Sequence, residues 1–190
     1  MVLKILPYGT PVLRQKGLPV ESITPEIASF IQDLLDTMKA AHGVGLASQQ
    51  VGRALQLAVV DVSGVTDRPS SLQINGELTP VEAHMPMVLV NPKIAPVADP
   101  VDGPEGCLSF PEIYAPIARP ESIAVKALDQ FSILREFRCS GLLARAIQHE
   151  YDHLQGILFI DRMTRKAKSE IQGEIDTLQA KTKQELKRSQ

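Results

Sequence analysis

The stretch His149-Glu150-Tyr151-Asp152-His153 constrains this chain more than any other. It lies in an apolar run of helical period, with Leu142, Leu143, Ala146 and Ile147 as the inward stripe, Ser140 as a cap and Gly156 as the stop. Residues four apart on a helix share a face, so His149 and His153 can turn two imidazoles toward one metal ion. Glu150 then stands beside them to move a proton. Such a pentapeptide also arises by chance on buried helices, and two histidines make only part of a site. A catalytic metal commonly has three protein ligands and one open position, so the rest of the chain must supply a ligand.

The candidates are few. One zinc-protease pattern continues from this motif to a third histidine; that position is Phe159. Another pattern takes a glutamate from a later helix, which points to Glu170 or Glu174, but both sit in a charged tail and read as solvated. Cys107 remains, flanked by Gly106 and a strand edge at Leu108. A lone cysteine is more often a small buried residue than a ligand, although the glycine allows close backbone approach. An endopeptidase on the same helix would need the downstream ligand instead.

Along the chain, residues 1–23 carry prolines and glycines at 7, 9, 11, 17 and 19 and read as an extended segment. A helix follows, capped by Thr24 with Pro25 in its first turn, and its apolar face is Ile27, Phe30, Ile31, Leu34, Leu35 and Met38. Leu55–Val62 reads as a largely buried strand. The connection 64–86 is rich in Gly, Pro, Ser and Asn, a length expected of a flap or a mobile segment, with Asn75-Gly76 as a hairpin turn. Met87–Val90 is a short strand stopped by Asn91-Pro92, and Ser122–Leu128 with Phe131–Cys139 forms a hairpin. From Arg162 onward eight Lys/Arg face four Asp/Glu on a thinly apolar helix, a solvated face or a dock for an acidic partner such as RNA. His42 reads as a helix-end residue, His84 as solvated, Cys139 as packing and Asp152 as structural.

The net charge of −2 gives no support for nucleic acid as the main partner, and two cysteines are too few for a disulfide framework. No apolar run reaches the roughly 18 residues of a membrane span. A bacterial-type cytoplasm is the expected location, and an organelle form would look the same.

Three stretches taken together resemble the signature motifs of peptide deformylase: Gly43-Val-Gly-Leu-Ala-Ser-Gln-Gln50, Glu105-Gly-Cys-Leu-Ser109 and Gln148-His-Glu-Tyr-Asp-His-Leu-Gln-Gly156. They stand in the family's order. Ser48 departs from the pattern, where the family usually has alanine. The resemblance implies that Cys107, His149 and His153 bind one divalent metal ion, usually Fe(II), with nickel, cobalt or zinc as alternatives. It implies deformylation of formyl-methionyl nascent peptides, with Glu150 as general base and acid. Gln50 and the Leu108 N–H would stabilise the oxyanion. Val44, Leu142 and Ala146 would form the methionine pocket, with Arg145 at its mouth; the substrate backbone would pair with the edge at Val44-Gly45 and with the segment after Glu112, and Glu105 with Arg119 would form a structural ion pair. The expected fold is α+β: antiparallel sheets around a central motif helix, with an N-terminal and a C-terminal helix. Residues 1–163 form the catalytic domain, and 164–190 a charged helix of the same domain that can reach the ribosome. No membrane and no DNA partner is expected.

Overall fold

Two apolar faces of one sheet organise the molecule, and the computed structural model describes residues 1–188. Leu57–Val60 (β2) is buried along its whole length because alternate side chains enter different cores. Leu57 and Val59 meet the helix Pro25–Ala40 (α1) through Phe30, Ile31, Leu34 and Met38. Val60 meets the motif helix Gly141–Leu154 (α2) through Leu142, Leu143 and Ile147. α1 starts where its sequence predicts: the Thr24 hydroxyl accepts the Ile27 N–H at 3.3 Å, with Pro25 in the first turn.

β2 pairs on one side with the edge strand Gly45–Ala47 (β1) and on the other with Met87–Pro96 (β5). The seven-stranded antiparallel sheet continues through Ser122–Leu128 (β8), Leu134–Ser140 (β9), Ser70–Ile74 (β3) and Glu77–Thr79 (β4). A separate hairpin, Pro100–Cys107 (β6) and Phe110–Pro120 (β7), buries Ile113, Ala115 and Ile117 at every second position. These pack with Leu13, Phe110, Phe159 and Ile175 in a third apolar cluster. The helix Arg165–Arg188 (α3) contributes Ile175 to it and leaves most of its charged surface exposed. Antiparallel sheets around a central helix, with one helix from each end of the chain, make the expected α+β fold.

Several expectations are corrected. The 64–86 connection is not structureless: within it β3 and β4 fold around the expected Asn75-Gly76 turn, both residues at positive φ, and β3 pairs with β9. Asn91-Pro92 does not stop β5, because a bulge between Val90 and Lys93 accommodates it, with Asn91 at φ 51°. The Asn91 amide is itself anchored to the Val20 N–H and carbonyl. β9 begins at Leu134, not Phe131, since Asp129 Oδ1 accepts the N–H groups of Phe131 and Ile133 and holds that stretch as a turn. The long β6–β7 hairpin is largely absent from the sequence reading, because its prolines and glycines mask the alternation.

The start of α2 also differs. Ser140 stands at the N-cap, but its hydroxyl bonds Ser71 Oγ at 2.6 Å. The acceptor for the Leu143 N–H is Ser70 Oγ on β3, at 3.0 Å. A helix end capped from a distant strand ties the sheet to the motif helix. Ser70→Ala should lower unfolding stability by about 1 kcal/mol, the usual cost of losing a cap. A urea midpoint unchanged from wild type would refute the borrowed cap.

Candidate metal centre

α2 carries His149, Glu150 and His153 on buried turns, and the two imidazole centroids lie 5.0 Å apart. Cys107 ends β6, at the tight turn Leu108-Ser109 into Phe110. The hairpin thus delivers the sulfur to the helix: Cys107 Sγ lies 3.3 Å from His153 Nε2. The donor atoms of Cys107, His149 and His153 all fall within 4.8 Å of one another, the one such group among the described residues. Glu170 and Glu174 are exposed on α3, away from this cluster, so no downstream glutamate completes the site.

The surroundings fit a cation. His149 Nδ1 is held by Glu105 Oε2 at 3.0 Å, which fixes the ring and leaves its other nitrogen for the centre. Burial disfavours charge on both rings. In His153 burial prevails, and its pKa falls well below the ordinary histidine value. In His149 the neighbouring Cys107 and Glu105 override burial and push the pKa well above it. Thiolate and imidazole donors suit Fe(II), Zn, Ni or Co.

Glu105 is the anchor of this arrangement. Burial opposes its ionisation, yet hydrogen bonds from His149 and Arg119 bring its pKa down to about 2. Arg119, inward on β7 two residues after Ile117, forks onto Glu105 at 2.5 and 2.9 Å and reaches Asp152 Oδ2 at 2.8 Å. The expected Glu105–Arg119 pair is therefore present, and Asp152 is part of the same network. Arg145 borders the cavity, but its guanidinium is engaged by Glu105 at 3.0 Å and by the carbonyls of Ile117 and Val101 at 2.8 and 2.9 Å. It is buried rather than a surface residue, and it lines the cavity with its guanidinium held in place.

Glu150 faces β1 at close range. A Cβ on Gly45 would run into the Glu150 side chain, with Cγ only 2.8 Å away, so glycine is required there. Burial raises the Glu150 pKa to about 7 against the opposing influence of His149 and Arg119. Its Oε2 has no partner among the described residues. Gln50 is oriented by its own turn: Oε1 accepts the Ala47 N–H at 2.9 Å, and Nε2 then faces Ser109 Oγ at 3.3 Å and Cys107 Sγ at 3.5 Å. The sequence reading missed Ser109 as the partner of Gln50. It also missed the purpose of Ser48, whose buried hydroxyl donates to the Leu55 carbonyl at 2.7 Å. A cavity of about 380 Å³ opens onto these groups, and Val44, Gly45, Leu142, Ala146 and Leu108 line it.

The chain is similar to known proteins along most of its length. The model of the polypeptide deformylase family matches residues 2–169. A peptide deformylase of Methylacidiphilum infernorum is 44% identical over 178 residues, covering 94% of this chain and 93% of its own. One from Opitutus terrae is 41% identical over 180 residues, with 94% and 93% covered. Among solved structures, the Legionella pneumophila peptide deformylase superposes with a TM-score of 0.78 at 34% identity, covering 93% of this chain and 95% of that one. Arabidopsis thaliana peptide deformylase 1B, in complex with an inhibitor, gives 0.82 at 36% identity, with 96% and 93% covered.

The second cysteine stands apart. Cys139 is buried on β9 against α2, and burial pushes its thiol pKa up to about 12. The thiolate is the reactive form, so Cys139 should resist iodoacetamide at pH 8 in the native protein and react once denatured. Mass-spectrometric labelling of native Cys139 would contradict its packing role.

Proposed function

Because the chain belongs to the polypeptide deformylase family, we propose that it removes the formyl group from formyl-methionyl nascent peptides as a metal-dependent hydrolase, with Cys107, His149 and His153 as ligands of one divalent ion. The observation that carries this reading is the convergence of one thiol and two imidazoles within 4.8 Å beside a buried carboxyl group. Fe(II) is the ion we assign, with zinc, nickel and cobalt served by the same donor set. When bound, such an ion lowers the pKa of water and polarises a carbonyl oxygen.

The residues divide the remaining work. Glu150, with a pKa near 7, accepts a proton from the attacking water and returns it to the leaving amine. Water oxygen bonds to the formyl carbon, the carbon–nitrogen bond breaks, and formate leaves. Charge develops on the former carbonyl oxygen, and fixed donors stabilise it best. Gln50 Nε2, already oriented by the Ala47 N–H, supplies one donor. The Leu108 N–H, at the corner of the β6–β7 turn, supplies the other. Val44, Leu142 and Ala146 take the methionine side chain, and the edge at Val44-Gly45, where β1 begins, takes the peptide backbone as an added strand. Arg145 acts on this pocket as a brace for its wall.

We read residues 1–163 as the catalytic part and the helix beyond 164 as belonging to the same domain. Ile175 lies in the apolar cluster of β7, which supports this. The exposed basic surface of that helix suits a docking role on the ribosome. Among the described residues no helix is long and apolar enough to cross a membrane. The similarity to bacterial deformylases supports our assignment to a bacterial-type cytoplasm.

Under anaerobic Fe(II) loading, the wild type should release formate from formyl-Met-Ala. Glu150→Ala should retain the metal and lose at least about 100-fold in kcat, the range expected for removal of a general base. Cys107→Ala should lose the metal as well. Near wild-type formate release by Glu150→Ala would reject this mechanism, and full metal content in Cys107→Ala would reject the ligand set.

A further inference from the structure

The charge network around Glu105 does not end at Asp152. Arg162 lies in the turn between the short helical stretch Phe159–Asp161 and α3, outside the cavity. Its side chain is 46% exposed, whereas that of Asp152 is 5% exposed. The guanidinium nevertheless closes on the buried carboxylate with two bonds, NH2 to Oδ1 at 2.6 Å and Nε to Oδ2 at 3.1 Å. We propose that Arg162 is a positioning residue for the metal centre, acting through Asp152, Arg119 and Glu105 on the ring of His149.

Each link is a directed charge contact. Arg162 and Arg119 share Asp152, and among the described residues Arg119 alone donates to both Asp152 and Glu105. Glu105 then holds His149 Nδ1. No other described side chain donates to Asp152 Oδ1. Without Arg162 that oxygen must draw on Arg119 or on entering water, and either loosens the fork that fixes Glu105. Asp152 also sits on the same helical turns as both imidazoles, three residues after His149 and one before His153. The turn that carries Arg162 is itself fixed, since Asp161 pairs with Arg14 and caps the Leu158 N–H at 2.9 Å. Arg162 thus has an anchor outside α2, through Arg14, which lets it act as a brace on the helix. Because it lies outside the cavity, it governs metal retention and not substrate binding.

The inference rests on the ligand set proposed above. The full chain is loaded with Ni(II), and metal release to excess chelator is timed alongside KM and kcat for formyl-Met-Ala. Support for metal-ligating histidines commonly changes affinity 10–100-fold; three links beyond Glu105, Arg162→Gln should release metal about 3–10-fold faster than wild type. KM should stay within about twofold. Arg162→Lys keeps the charge but loses the fork, so its release rate should fall between the two. In an Asp152→Asn background, Arg162→Gln should add little, as expected for coupled residues. The exposed Arg165→Gln on α3 should release metal like wild type.

A wild-type release rate in Arg162→Gln overturns the inference, even where thermal stability drops. Additive effects of Arg162→Gln and Asp152→Asn overturn it too. Should Arg162→Gln fail to fold, Arg162→Lys is read alone, and wild-type release there overturns it. A wild-type protein that binds no nickel overturns the ligand set instead.

Discussion

The buried carboxylate of Glu105 is the contact on which the site depends. It receives Arg119, Arg145 and His149 together, from β7 and from two turns of α2. A buried charge is tolerated only when its partners and hydrogen bonds are complete, and removing one partner typically costs about 3–5 kcal/mol. The network therefore does more than neutralise charge. It locks a hairpin that would otherwise be a separate two-stranded ribbon onto the helix that carries both imidazoles. Cys107 reaches His153 because Glu105, two residues earlier on β6, is held in this way.

Apolar packing provides the frame in which these charges can meet. α1 and α2 cover opposite faces of the seven-stranded sheet, and the third cluster seats β7 against Phe159 and α3. Phe159 stands where a histidine would complete a protease-type motif. Here its ring lies 6.2 Å from that of His149 and edge-on to Phe110 at 5.0 Å, so it forms an apolar wall under the site. On the other side β1 comes so near that Gly45 faces Glu150 without a side chain of its own. Desolvation from these walls raises the Glu150 pKa toward neutrality, where a residue can both accept and return a proton.

Elements with strong local signals were legible. Thr24-Pro25 and the stripe to Met38 fix α1, and the all-apolar run near Leu57–Val60 marks a strand buried on both faces. Strands made by pairing were not. β6 reads Pro-Val-Asp-Gly-Pro-Glu-Gly-Cys, with almost no local preference for a strand, and its partner β7 gives it that form. β5 crosses Asn91-Pro92 because a bulge and the Val20 backbone hold Asn91 in an otherwise unfavourable conformation. The 64–86 stretch looked like a flap because its polar composition hides an edge that β9 completes.

By itself the sequence determined the chemistry available: an i, i+4 pair of imidazoles with a carboxylate between them, a glycine-flanked thiol, and a glutamine after two glycines. Helical period fixes which residues share a face, and that information is local. Only the tertiary structure decided which groups meet. It fixed the Arg145 guanidinium in the cavity wall, gave α2 a cap from Ser70 instead of Ser140, and joined Arg162 to Asp152 across the turn into α3. Those choices depend on contacts between segments far apart in the chain, and on charges that are stable in the interior only when every partner arrives together.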